Sequence, residues 1–401
     1  MNILVPNLGS TSLKYKLFES ASETVLARGK VERIGSQTSI ISTFDGGDVH
    51  QTTLPIASHS EALLYLIQNW HNLISSGHDG TVDAIALKAV HAGPKYCGSF
   101  LVDDDVLESM EQFLPVAPLH NAIYLNAIRS FRSTLPGIPI VASFETGFHS
   151  SMPEYAQTYG IPYEWTQRFG IRRYGFHGAS HSYIAARVPE LLKKEAIGLR
   201  IISCHLGGSS SICAICDGRS LDCSFGFSPQ SGIDHATRSG DLDPFVVRFV
   251  ALQLGESDDE VLASLAVNGG LLGISGVSCD CRDLEAASAD GNLRARLALD
   301  VFIYTVRKYI GAFFAVLGGV DVLVFTGGIG ENSAFIRKQT CQGLEHLGIA
   351  IDASLNHTVR DEVREISASS SIARVLVVPA DEELMVARGA ARILADRPAL
   401  V

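Results

Sequence analysis

The sequence predicts a mixed α/β protein made of two similar halves folded around a central cleft. Three observations predict it. Residues 3–18 read as an apolar strand, a turn of small hydroxyl-rich residues (Asn7-Leu8-Gly9-Ser10-Thr11-Ser12) and a returning strand. Residues 201–216 repeat that layout with His205-Leu206-Gly207-Gly208-Ser209-Ser210, at an offset of 198 residues in a chain of 401. Strand-like and helical stretches then alternate in both halves.

The first hairpin tip offers backbone N–H groups, three hydroxyls and nearby Lys14, donors that suit phosphate oxygens. Most Ser/Thr/Gly tips are plain turns. A second copy at nearly half the chain length favours a duplicated fold with one phosphate-sized hairpin per half over coincidence.

Taken in order, residues 1–57 carry strand-like runs with turns such as Asp45-Gly46-Gly47, fitting an antiparallel sheet that extends the first hairpin. Pro6 removes a ladder N–H and fixes φ, so the first strand is expected to end or bulge there. Ser58-x-x-Glu61 reads as a capping box. It opens a helix with Leu63, Leu66, Ile67, Trp70, Leu73 and Ile74 on one face, ended by Gly77. A strand at 82–90, a helix at 119–133 and a strand at 138–143 follow. The second half has strands within 201–216, then helices near 243–254, 257–266 and 293–317. A strand at 320–326 leads into the turn Gly327-Gly328-Ile329-Gly330, then a helix from Ser333, a strand at 375–379 and a closing helix from Glu382. The tail is expected to pack back on the first half. This gives domains of 1–147 with 383–401, and 148–382.

Composition narrows the function. With 46% hydrophobic and 19% charged residues the chain can bury a large core. A net charge of −11 with no basic block argues against nucleic-acid binding. No apolar run approaches the ~20 residues that span a bilayer, and no secretory leader is visible, so a cytoplasmic protein without membrane association is expected. Cys213-x-x-Cys216 lies in a strand, where positions i and i+3 face opposite sides. The eight cysteines therefore read as small buried hydrophobes in a reducing compartment, not as zinc ligands.

The remaining polar motifs sit beside strand ends. They are Arg172-Arg173-Tyr174-Gly175-Phe176-His177-Gly178-Ala179-Ser180-His181, Thr237-Arg238-Ser239-Gly240-Asp241, Asp280-x-Arg282-Asp283 and Thr326-Gly-Gly-Ile-Gly-Glu-Asn332. Singly, each has a bland reading as a solvated loop or structural histidine. Together with two hairpin tips they fit phosphoryl transfer, which needs positioned cations and amides more than a covalent residue. There is no G-x-x-x-x-G-K-[ST] loop and no G-x-S-x-G elbow. The doubled layout resembles the actin, sugar kinase and chaperone-ATPase group.

Over nearly its whole length the chain resembles the acetate/propionate/butyrate kinase family. The matching segments are NLGSTSLKYKLF, AVHAG, APLHN, FETGFHSSMP, RRYGFHGASH, HLGGSSS, TRSGDLDP, GLLGISGVS-CDCRDL, FTGGIGENS and PADEELMVAR. The resemblance implies ATP + acetate ⇌ ADP + acetyl phosphate by direct in-line transfer with Mg2+ (Mn2+ as an alternative), in a homodimer. It implies that Asn7 and Glu382 hold the metal. Glu145, His177 and Arg238 would be catalytic, with His177 and Arg238 on the transferring phosphoryl group. Ser10, Ser12, Lys14, His205, Gly207, Gly208, Ser209 and Ser210 would line the phosphates. Asp280 and Arg282 would flank the adenine, and Gly328, Ile329, Gly330 and Asn332 would close the nucleotide pocket. Lys88 would hold the carboxylate, and Val90, Leu119 and Pro229 would surround the methyl group. The long helix at 293–317 reads as a core helix before a dimer element.

Five positions depart from the family pattern. Pro6 stands for an aliphatic residue beside Asn7. Lys88 stands for an Arg and loses the planar fork that grips a carboxylate bidentately. Glu145 stands for an Asp, one methylene longer. Gly208 stands for an Asn, losing a side-chain phosphate donor. Ala92-Gly93 stands for Gly-Gly. These leave two expectations open: a working acyl-phosphate kinase, or a non-catalytic homologue that binds nucleotide as a regulatory or partner protein.

Overall fold

The computed structural model describes residues 1–9, 11–45, 48–69, 81–358 and 362–395. Ser10, Trp70, Leu73, Ile74 and Gly77 lie outside the described residues, as does the side chain of Leu119. The chain forms two compact units, Met1–Phe148 with Asp381–Val401, and His149–Ala380.

The first unit holds β1 (Asn2–Leu8), β2 (Ser12–Glu19), β3 (Thr24–Glu32), β4 (Ser39–Asp45), β5 (Asp48–Leu54), β6 (Ala84–Ala89), β7 (Ser99–Leu101) and β8 (Ile140–Phe144). They form one sheet ordered β5-β4-β3-β2-β1-β6-β8-β7. The second unit holds β9 (Arg200–His205), β10 (Ser211–Cys216), β11 (Arg219–Cys223), β12 (Val322–Thr326), β13 (Arg364–Glu365) and β14 (Arg374–Val377), ordered β11-β10-β9-β12-β14-β13. The six strands β3-β2-β1-β6-β8-β7 and the six of the second unit share one topology. In each, two antiparallel pairings lead to two parallel ones and end on a short antiparallel edge. The doubled hairpin is thus the start of a doubled sheet, to which the first unit adds β4 and β5.

Sequence pattern explains the layering. On β2, Leu13, Tyr15 and Leu17 are buried and Lys14 is exposed, the alternation of a strand with one buried face. The run Val322–Thr326 is buried throughout, as suits a central parallel strand covered on both faces. The helix Leu293–Leu317 buries Ala295, Ala298, Leu299, Phe302, Ile303, Val306, Ile310 and Phe313 in the core of the second unit. Asn292 caps its start by accepting from Arg294 and Ala295 N–H, and Gly318 at φ 67 closes its end. After the last strand of each sheet the chain leaves for the other unit. The helix Gly178–Leu192 packs on β9, and the helix Glu382–Ala395 packs on β1, β6, β7 and β8.

Three local expectations are corrected. β1 runs through Pro6 with an unbroken register, Pro6 opposite Tyr15. Its pairing with β6 is confined to Ile3 and Leu4, so the ladder tolerates a missing N–H at Pro6. The segment Gly327–Asn332 is a short helix, not a turn, because Gly327 at φ 76 lets β12 bend directly into it. At Ser58 the hydroxyl accepts from Glu61 N–H, but the Glu61 carboxylate reaches Ala57 N–H instead of the cap residue's own.

Candidate active site

In both units the polar groups gather at the carboxyl ends of equivalent strands, where open α/β sheets bind ligands. In the first unit Asn7 closes β1, Lys88 lies near the end of β6, and Glu145 follows β8. The helix Glu382–Ala395 brings Asp381, Glu382 and Glu383 to them. Lys88 Nζ is ion-paired with Glu382. Lys16 Nζ lies 2.7 Å from Asp381 and 3.4 Å from Glu383. Asn7 Nδ2 lies 3.5 Å from Glu383 Oε1. Burial works against the charge on Lys88, but Glu382 and then Glu145 more than offset it, so its pKa is raised and it stays a cation. Glu145 is buried, its backbone N–H tied to Ala89 carbonyl at 2.9 Å.

The donor set is all oxygen: carboxylates and an amide. No group of three His, Cys, Asp or Glu poised for a metal occurs among the described residues. Mg2+ does not need one, because it is usually held by one or two carboxylates together with substrate phosphates and water. Asn7 and Glu382 fit that requirement.

The first hairpin tip is tightly built. Gly9 N–H donates to Ser12 carbonyl at 2.8 Å, and His59 Nε2 donates to the carbonyls of Gly9 and Ser12 at 2.9 and 3.2 Å. Ser12 is half-buried and Lys14 exposed. Val90 packs on the core. The change to Ala92-Gly93 is harmless. Gly93 has φ +69, and a Cβ there would meet the Phe113 ring at 2.2 Å, whereas Ala92 is fully buried with its methyl accommodated.

In the second unit the site is built on histidines. His177 is the N-cap of Gly178–Leu192 and adopts φ 58, a left-handed conformation that a side-chain-bearing residue holds only when its surroundings impose it. His149 helps to impose it. Its Nε2–H donates to the Phe176 carbonyl at 2.9 Å while Nδ1 lies 2.8 Å from Ser220 Oγ. Burial lowers the His149 pKa to about 4, so the ring stays neutral. The His177 ring lies 4.3 Å from His205 and 5.1 Å from Phe225. Phe225 stacks on His235 at 5.2 Å. His235 Nδ1 accepts Ser210 N–H at 3.1 Å, and its backbone N–H donates to the Arg238 carbonyl at 3.0 Å. One chain of contacts therefore links His177, the phosphate-type loop and Arg238. Arg238 is buried, donates to the Pro229 carbonyl, and has its pKa lowered to about 10 by burial.

The second tip is stitched by Gly207 N–H to Ser210 Oγ at 3.1 Å and by Ala236 N–H to Gly208 carbonyl at 2.9 Å. The glycine-rich helix Gly327–Asn332 docks beside it. Leu206 carbonyl accepts from Ile329 and Gly330 N–H at 2.8 and 3.1 Å, and Glu331 Oε1 accepts from Gly327 N–H at 2.9 Å. The amides of Gly327, Ile329 and Gly330 are thus engaged within the protein. A Cβ at Gly328 would meet nothing within 4 Å. Asn332 Nδ2 caps Gly328 carbonyl at 2.9 Å. Asp280 caps the helix Cys281–Ala289 and grips Arg282, which holds its carboxyl down to about 2.

Other polar groups of the site loops have structural partners. Arg172 lies over Tyr174 at 4.7 Å and Arg173 over Tyr159 at 4.5 Å, as supports of the loop before His177. Lys16, Ser211, His235 and Glu331 escaped the sequence reading. The period-2 pattern of β2 and β10 could have flagged Lys16, on the face of Lys14, and Ser211, at the edge of the second tip. Glu331 also accepts Ala380 N–H at 3.1 Å, a contact across 49 residues with no local signature.

Two copies of one sheet topology, each with its polar groups at the same strand ends, define a duplicated, actin-like ATPase-type phosphotransferase. Relatives narrow this. The Acetokinase family model matches residues 2–388. An acetate kinase of Clostridium botulinum (strain 657 / Type Ba4) is 45% identical over 399 residues, covering 98% of this chain and 100% of that one. The crystal structure of Porphyromonas gingivalis acetate kinase matches with TM-score 0.86 at 38% identity, over 98% of this chain and 99% of that one. A propionate kinase from Francisella tularensis subsp. tularensis SCHU S4 matches with TM-score 0.86 at 34% identity, over 97% and 98%. The chain belongs to the acetokinase family, kinases that phosphorylate a carboxylate with ATP.

Proposed function

We propose that the protein catalyses ATP + acetate ⇌ ADP + acetyl phosphate by direct transfer of the γ-phosphoryl group to a carboxylate oxygen. The supporting observation is that each unit places polar groups at the carboxyl ends of equivalent strands, Asn7 and the charged Lys88 at β1 and β6 in one and His205 at β9 in the other, where His177 lies 4.3 Å from His205.

On this reading Lys88 holds the acetate carboxylate by charge, and Val90, Leu119 and Pro229 receive the methyl group. Arg238 and His177 donate to the equatorial oxygens, where charge spreads in the transition state. Gly207, Gly208, Ser209 and Ser210 cradle the nucleotide phosphates with His205. On the first unit Ser10, Ser12 and Lys14 form the matching loop. Asp280, Arg282 and Gly328 to Asn332 line the nucleoside. Glu145 keeps Lys88 protonated and oriented. Mg2+ held by Asn7 and Glu382 would neutralise phosphate charge.

The enzyme is further proposed to be a cytoplasmic homodimer. The free state of all eight cysteines fits a reducing compartment, and no helix among the described residues is long and apolar enough to cross a membrane. The helix Phe245–Leu254 buries only Ala251 and exposes Phe245, Phe249 and Leu252 along one face, a face that suits a second copy of the chain. Trapping the acyl phosphate as its hydroxamate, with acetate, propionate and butyrate each at equal concentration and Mg-ATP, tests the activity and its acyl preference. Acetate should give the highest kcat/KM. Absence of product with all three would refute the reading.

A further inference from the structure

We infer that Ser211 and His181 form a hydroxyl–imidazole relay that decides which ring nitrogen of His177 carries a proton, making both positioning residues for phosphoryl transfer. The inference rests on the reading of His177 as a donor to the transferring group.

Ser211 Oγ lies 2.8 Å from His177 Nδ1 and 2.8 Å from His181 Nε2. His181 Nδ1 lies 2.9 Å from Ser203 Oγ. Ser203, Ser211 and His181 are fully buried. The arrangement follows from local geometry. His177 and His181 are four residues apart at the start of one helix and share a face. Ser203 and His205 share a face of β9, and Ser211 sits opposite His205 on β10.

One hydroxyl has one proton, so Ser211 cannot donate to both rings. When it donates to His177 Nδ1, it must accept from His181 Nε2–H, and His181 Nδ1 then accepts from Ser203 O–H. In that state the neutral His177 carries its proton on Nε2 and, on the proposed reading, donates it to a phosphoryl oxygen. In the reverse state His177 Nδ1–H donates to Ser211, Ser211 donates to His181 Nε2, and His181 Nδ1–H donates to Ser203. A neutral His177 would then turn a lone pair toward developing negative charge. On the proposed reading the working enzyme uses the first state, the one in which His177 can donate. Burial, then His149 and His205, hold the His181 pKa well below its usual range, so His181 stays neutral, donates from one nitrogen only and thereby couples the Ser203 and His177 ends of the relay. The imidazoles facing this pair are His205, 4.3 Å from His177 and itself bonded through Nδ1 to Ser180 Oγ at 2.8 Å, and His149, 5.7 Å from His181. Phe225 meets the His177 ring in an edge contact at 5.1 Å.

The test is steady-state kinetics in the direction of ATP formation from pH 5.5 to 9, for the wild type and for Ser211→Ala, Ser211→Thr, Ser203→Ala and His177→Ala. The relay predicts that Ser211→Ala lowers kcat about 10- to 100-fold, part of the effect of removing a positioned donor. KM for ADP and acetyl phosphate should stay within roughly twofold, and the acid limb of the kcat profile should move. Ser211→Thr, which keeps the hydroxyl, should restore most of the rate. Ser203→Ala should act in the same direction, more weakly. An inactive His177→Ala beside a Ser211→Ala of unchanged kcat and pH profile would overturn the relay alone. A fully active His177→Ala would overturn the underlying reading instead. Should Ser211→Ala fail to fold, nitrogen-15 NMR of the wild-type imidazoles decides: neutral His177 with Nε2 protonated supports the relay, and Nδ1 protonated overturns it.

Discussion

Asp234→Asn should stabilise the protein at neutral pH and lose that advantage in acid. Asp234 leads into the Arg238 loop and is 9% exposed, and its Oδ2 has no partner among the described residues. Burial first, opposed by its own backbone N–H and reinforced by Asp241, raises its pKa from 3.8 to about 6. The folded chain therefore prefers the protonated carboxyl. The stability this contributes is fully present below 3.8, and it is lost as pH rises through 6. A gap of roughly 2 units is worth about 3 kcal/mol at 1.36 kcal/mol per unit. Asparagine keeps the shape without the charge, but its amide must find partners, which reduces the gain to about 1–3 kcal/mol. Urea unfolding of both proteins from pH 4 to 8 should show a stability difference rising from near zero at pH 4 to that value at pH 7.5, then flat. A difference independent of pH, or a variant weaker than wild type at pH 8, would refute the reasoning.

Three further substitutions follow. Lys88→Arg adds a planar fork where Lys88 now meets Glu382, and should lower KM for acetate about tenfold with kcat nearly unchanged; an unchanged or higher KM in steady-state kinetics would show a pocket rebuilt around lysine. Gly208→Asn should fit, because a Cβ there meets only Ala236 Cβ at 4.0 Å, and should lower KM for ADP several-fold through one added phosphate donor; a raised KM with a lower Tm would contradict it. Glu331→Ala removes the acceptor shared by Gly327 and Ala380 N–H, and should lower Tm by several degrees and raise KM for nucleotide, while Glu331→Gln, which keeps an acceptor oxygen, should recover most of both.

Local features were the legible ones. Each hairpin announced itself by a small-residue turn between apolar runs, and its echo foretold a doubled sheet because both turns carry Leu-Gly at the same place. The helix expected near 293–317 is Leu293–Leu317, its ends fixed by the Asn292 cap and by Gly318. Tertiary partners were not legible. Lys16 reads as one more strand lysine until Asp381 and Glu383 arrive from the far end of the chain. Arg172 and Arg173 sit in the cationic run beside His177, and their stacking on Tyr174 and Tyr159 has no local signature. Gly327-Gly328 reads as a turn because its helix is too short to show a period, and it is held by the side chain of its own Glu331 and by the Leu206 carbonyl from outside. His181 was visible in the RRYGFHGASH run, but its bond to Ser211 depends on how the helix lies on β9 and β10.

The central claim is phosphoryl transfer between nucleotide and acetate at a site built on His177. ATP formation from acetyl phosphate and Mg-ADP, coupled to hexokinase and glucose-6-phosphate dehydrogenase, measures it directly in wild type and His177→Ala. Steady turnover by the wild type is expected, with a loss of about 100-fold or more in the variant at unchanged thermal stability. Wild-type turnover no higher than that of His177→Ala would contradict it.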